Sequence, residues 1–90
     1  MGYFNEEAKP KYWWLIDDKT SAGAVMYTEK LDACCKADAI NVAKARLSHL
    51  TTDEINRRDA LHVVYGGERD GDLDFDTITE SYDLAEEMVV

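Results

Sequence analysis

Four aspartates occupy alternate positions in GERDGDLDFDTITE, residues 67–80: Asp70, Asp72, Asp74 and Asp76. Carboxylates at that spacing suit a calcium loop, a polyanion that imitates nucleic acid, or a solvated turn followed by a strand. The calcium loop fails on its own pattern. An EF-hand begun at Asp70 places Asp72 and Asp74 correctly, but it needs glycine at its sixth position and glutamate at its twelfth. Phe75 and Ser81 stand there instead. Only weak divalent-cation association survives from that reading. As a mimic, aspartates two apart on a strand form a line of charge with ~6.6 Å spacing, sparser than the ~3.4 Å of one DNA strand. As a turn and strand, the same residues cap backbone amides and keep an edge strand from aggregating. The last reading is adopted, with an acidic nucleic-acid-mimic inhibitor of a DNA- or RNA-binding protein as the alternative.

The remaining reactive side chains form no recognisable constellation. Cys34 and Cys35 are adjacent, and neighbouring Cα atoms lie only ~3.8 Å apart where a disulfide prefers ~5.5–6 Å. They read as two small, semi-buried residues leading into a helix, and without a second cysteine pair they are a weak metal signal. His49 and His62 are the two histidines. Neither sits in a Ser-His-Asp, HExxH or glycine-rich phosphate pattern. Arg57 and Arg58 stand among Asp53, Glu54 and Asp59, which describes a solvated helix face. The expectation is a non-enzyme with no catalytic residue, no cofactor and no metal site.

Ninety residues, 46% of them apolar and 32% charged, describe one small globular domain, 1–90. No apolar run approaches the ~20 residues that span a bilayer, and no basic-then-apolar leader opens the chain. A cytoplasmic protein is expected. The net charge of −9 is carried entirely by residues 51–90, since residues 1–50 hold seven basic and seven acidic side chains. That imbalance disfavours nucleic acid and anionic membrane as partners.

The elements that must position these residues follow from composition and period. Residues 1–10 read as a loose lead-in ending at Pro10. KYWWLIDD (11–18) is rich in aromatic and branched residues and predicts a strand. KTSAG (19–23) is a turn, and AVMYTEKL (24–31) completes a hairpin. Ile40, Ala43, Leu47 and Leu50 mark one face of a helix over 37–50. Leu50-Thr51-Thr52-Asp53-Glu54-Ile55 carries a capping box with a hydrophobic staple, which starts a second helix at 52–59. LHVVYG (61–66) predicts a third strand, Asp-Gly at 70–71 a turn, and LDFDTIT (73–79) a fourth strand with Leu73 and Phe75 on one face. Residues 80–90 are either a docked segment or a tail. The class is α+β in the order β-β-α-α-β-β, a small antiparallel sheet with its helices on one face.

Trp13 and Trp14 then pose a geometric problem. Adjacent residues of a strand point to opposite faces, so only one indole can look toward the helices. Three kinds of cover suit the second face: the C-terminal segment through Tyr82, Leu84, Met88 and Val89, a second copy of the chain, or another protein. Trp13, Trp14, Tyr27 and Tyr65 are therefore the candidate partner-binding residues, and Asp70, Asp72, Asp74 and Asp76 the candidate acidic surface.

The stretch AINVAKARLSHLTTDEINRRDALHVVYG followed by DGDLDFDTIT, residues 39–79, resembles a loose group of short, acidic, uncharacterised bacterial proteins. These are common in gut Firmicutes and related anaerobes, often near mobile elements. The resemblance carries no assigned activity, cofactor or catalytic residue. It implies an accessory protein of a plasmid, phage or conjugative element. The functional expectation is a protein-binding accessory module or homodimer.

Overall fold

The computed structural model describes residues 10–88, so the expected lead-in over 1–9 and the proposed cover by Val89 lie outside the described residues. The elements are β1 (Lys11–Asp18), β2 (Tyr27–Lys30), α1 (Lys36–Arg46), α2 (Thr52–Asn56), β3 (Ala60–Arg69), β4 (Asp72–Asp74), β5 (Glu80–Asp83) and α3 (Ala85–Met88). The class is α+β, built on a five-stranded antiparallel sheet. β1 and β3 form its centre, paired from Lys11↔Gly67 to Asp18↔Ala60. β2 lies outside β1. β3 is long enough to be shared on its other edge: β5 pairs its residues 62–65 and β4 its residues 67–69.

Local chemistry explains where the elements start and stop. Thr51 caps α2: its hydroxyl accepts from the Glu54 amide at 3.1 Å, and Glu54 Oε1 accepts from the Thr51 amide at 2.9 Å. Leu50 and Ile55 both join the core beneath that box. The β3–β4 turn puts Asp70 and Gly71 at φ 56° and 86°, the left-handed pair that a two-residue hairpin needs. The strand predicted over 73–79 ends at Asp74. There the Asp74 carboxylate accepts from the Asp76 amide at 3.2 Å and turns residues 75–77 into a 3-10 turn. Phe75 is thereby thrown outward, half exposed, rather than sharing a face with the buried Leu73.

The alternation of β1 builds two cores. Trp13 and Leu15 face the helices with Leu31, Ala39, Ala43, Leu47, Ile55, Leu61, Val63 and Leu84. α1 uses Ala39, Ala43 and Leu47 as its buried stripe, with Ile40 and Leu50 beside it. On the other face Trp14 and Ile16 pack with Val64 and Leu73, flanked by Tyr12 and Ile78. The cover over Trp14 is none of the three expected. Tyr82, Leu84 and Met88 join the helix-side core instead, because β5 pairs in a register that sets Tyr82 beside Val63. The β3–β4 hairpin and the turn after it supply Leu73 and Ile78 to the second face. Lys30 reaches Glu68 at 3.4 Å, and the Thr28 hydroxyl reaches Asp72 Oδ1 at 2.6 Å, tying the hairpin to β2.

Gly66 makes that approach close. A Cβ there would stand 3.1 Å from Ile78 Cγ1 and 3.1 Å from Leu73 Cδ1, tighter than ordinary carbon contact. The next amide, of Gly67, donates to Thr77 Oγ1 at 2.5 Å, and Thr77 in turn donates to the Asp74 carbonyl.

Three exposed carboxylates are held below their ordinary range by hydrogen bonds. The Thr28 hydroxyl lowers Asp72, the Ser21 hydroxyl and amide lower Asp59, and the Thr51 amide and hydroxyl lower Glu54. A depressed folded-state value stabilises the protein fully above the unfolded value and loses that contribution as pH falls. The melting temperature should therefore hold from neutrality down to the ordinary glutamate value of 4.5, then fall as Glu54 and, below the ordinary aspartate value of 3.8, Asp59 and Asp72 lose their contributions. Thr28→Val should lower the neutral-pH melting point and shrink the acid drop. Calorimetric scans across pH check both. A variant with the wild-type acid drop would refute the role given to Asp72.

Candidate functional site

The best-formed depression lies on the helix side of the sheet, where the end of β1 and the approach to β2 meet the α1–α2 corner. It holds about 510 Å³ and is lined by Asp17, Val25, Tyr27, Glu29, Arg46 and Arg58, among others. That is within the ~300–1,000 Å³ of small-ligand sites, but this one is an open groove.

Its floor is an ion pair. β1 ends its apolar run with Asp17, which is 7% exposed. Arg58 follows α2 and returns across the sheet, its Nε donating to Asp17 Oδ1 at 2.8 Å and its Nη1 to the Glu54 carbonyl at 3.2 Å. The two side chains are 12% and 10% exposed, so Arg58 is not the solvated helix residue its acidic neighbours suggested; Arg57 is. The signal in the sequence was Asp17 itself, a charge that directly extends an apolar strand. Its partner stands 41 positions away, where no local pattern links the two.

The wall is a second pair. Arg46, at the end of α1, meets Glu29 at 2.8 Å, and the Tyr27 hydroxyl donates to the same carboxylate at 3.0 Å. That bond to Glu29 raises the Tyr27 phenol above its ordinary value. Lys19 and His49 complete the polar lining. Both carboxylates are thus engaged by cations of their own chain, so the groove is locally balanced in charge within a strongly acidic protein.

The rim is apolar. Val25, 87% exposed, and Tyr27, 51%, line the groove, and Met26 between them, 38% exposed, lies beside it, three consecutive large side chains outside the core. Residues 24–26 precede β2 rather than belonging to it, so the predicted second strand is shorter and no sheet partner draws these side chains inward.

Of the four residues expected to meet a partner, only Tyr27 is open. Trp13 and Trp14 are 7% and 2% exposed. Trp14 donates its Nε1–H to the Gly66 carbonyl at 3.1 Å, so the polar end of that indole is satisfied too. Tyr65 is half-buried with its ring centroid 4.8 Å from Trp13. Both indoles already have intramolecular cover, and a partner would have to open the domain to reach them.

The aspartates do not form a line. Asp72 is tied to Thr28, and Asp74 pairs with Arg69 at 3.0 Å and caps the 3-10 turn. Asp70 sits at the hairpin tip, and Asp76 lies within the turn. Cys34 and Cys35, expected semi-buried, are both exposed, with Cys35 at the N-cap position of α1 and no side-chain bond to the helix amides. His62 stands on β3 opposite Ile16, on the face away from the groove and from His49. Among the described residues no helix is long and apolar enough to cross a membrane. Comparison with known proteins finds no matching family model, no matching curated protein and no matching solved structure, so the reading of function rests on this surface alone.

Proposed function

We propose that this chain is a non-catalytic, protein-binding accessory module of the bacterial cytoplasm, and that its partner seats on the Val25–Tyr27 rim and the groove beside it. The partner is another protein or a second copy of the chain. The observation that carries the reading is the run of three uncovered apolar side chains at Val25, Met26 and Tyr27. Exposed apolar clusters with polar surroundings mark docking sites more often than isolated apolar residues do. A partner would bury the rim as its apolar centre, while Arg46, Lys19 and His49 supply a polar border. The engagement of both groove carboxylates by internal cations favours binding over acid–base chemistry. The mimic reading draws no support from the geometry, because Asp72 and Asp74 are spent on internal bonds.

A photoreactive residue placed at Met26 in the native host tests this. The expected result is one discrete crosslinked product, absent when the same residue replaces the exposed Asn56 and lost on adding Val25→Asp. A product of twice the chain mass identifies a second copy; any other mass identifies a different protein. Equal labelling from positions 26 and 56, or no product from either, overturns the proposal.

A further inference from the structure

We infer that Cys34, Cys35 and Asp38 form a surface site for a soft divalent cation, of the zinc or cadmium type. The site lies at the start of α1, away from the groove, and stands independently of the docking proposal.

Three observations carry it. Cysteine is among the residues most often buried, yet both cysteines here are exposed, where packing does not account for them. Their side chains converge with a carboxylate: Cys34 Sγ lies 3.3 Å from Asp38 Oδ2, and one donor atom from each of the three residues lies within 4.8 Å of the others. The Cys34–Asp38 separation is close to that in a coordination sphere, and the 4.8 Å bound leaves Cys35 about an ångström or less to close. With Zn–S near ~2.3 Å and Zn–O near ~2.0 Å, tetrahedral ligands stand ~3.5–3.8 Å apart. Cys35, at the N-cap, and Asp38, in the first turn, are held relative to one another by an eleven-residue helix, and Cys34 directly precedes them.

The chemistry of the donors selects the ion. Two thiols and one carboxylate favour a soft or borderline cation over magnesium or calcium, which take oxygen ligands. In the free protein the Cys34 thiol donates to Asp38, and the carboxylate holds that thiol above its ordinary value. A cation replaces this shared proton. Both thiol protons leave to the buffer, two thiolates and the carboxylate become ligands, and water takes the fourth position; no oxidant or reductant is needed. The helix N-terminus favours the resulting negative charge on the ligands.

The test is titration of the reduced, oxygen-free full-length chain with cadmium, followed by thiolate-to-metal charge-transfer absorption, with zinc in competition. The expected result is saturation at one cation per chain with release of both thiol protons. Cys34→Ser and Cys35→Ser should each abolish the band. Asp38→Asn should weaken binding by on the order of tenfold while leaving the band's shape intact. All three positions are exposed, and circular dichroism of each variant checks that the fold is unchanged. Absence of the band, one cation shared by two chains, or retention of one-to-one binding by either serine variant would overturn the site.

Discussion

Trp14→Ala should remove a large share of the stability of the domain. The indole is 2% exposed and is the largest member of the second core, with Ile16, Val64 and Leu73 around it. Truncating a buried tryptophan to alanine costs ~3–5 kcal/mol. A chain of this size has a total stability of about 5–13 kcal/mol, at ~0.05–0.15 kcal/mol per residue. The loss is concentrated because the second core is small. Leu73 and Ile78 pack with Trp14 over Gly66, so removing the ring also loosens the hairpin that covers it. Trp14→Phe separates two contributions. It keeps most of the apolar volume and removes the indole's hydrogen bond to the Gly66 carbonyl, a loss of ~0.5–1.5 kcal/mol. Urea unfolding of the two variants measures both effects, with Val25→Ala as the exposed control, expected within about 0.5 kcal/mol of wild type. A Trp14→Ala protein as stable as the Val25→Ala control would contradict the two-core description.

The second large effect is at Arg58. Arg58→Met should destabilise the protein by ~3–5 kcal/mol, because it strands the Asp17 carboxylate in a site without its cation. The two side chains are 12% and 10% exposed, so water only partly substitutes for the lost guanidinium. The cost is one of stranding, not of the pair's net worth. Replacing both members with apolar residues, Asp17→Leu with Arg58→Met, should recover most of the loss, as buried pairs often exchange for apolar ones without penalty. A double-mutant cycle by urea unfolding reads the coupling directly. Additive effects, with the double variant worse than Arg58→Met, would show that the pair is not an isolated unit. The paired variant also bears on function. It keeps Val25, Met26 and Tyr27 in place while removing the polar floor, so the crosslink from position 26 should persist if the apolar rim carries the affinity.

Several features were legible without coordinates because their physics is local. The capping box at Thr51 and Glu54 involves residues three apart, and a helix start either satisfies its amides from such neighbours or leaves them to water. The Asp70-Gly71 turn is likewise set by two residues that tolerate positive φ. The opposed indoles followed from strand alternation alone, and both are buried as that alternation demands. Phe75 was misplaced because a competing local interaction, the Asp74 cap, ended the strand that alternation would have continued. Cys34 and Cys35 were misjudged because average burial says little about a particular helix start.

What the amino-acid order determined by itself was the class of the domain, the two-faced apolar character of β1 and the punctuation between elements. These depend on neighbours within a few residues. Tertiary structure alone decided which segment covers Trp14, that Arg58 returns to Asp17, and that Val25 to Tyr27 stay outside both cores. Each of those outcomes joins residues about forty or more positions apart or turns on a strand's register. The reason is that burial is satisfied by any apolar segment of suitable shape. Leu73 and Ile78 won the second face over Tyr82 and Leu84 because β5 pairs one way on β3 and the glycine at position 66 let the hairpin close the other.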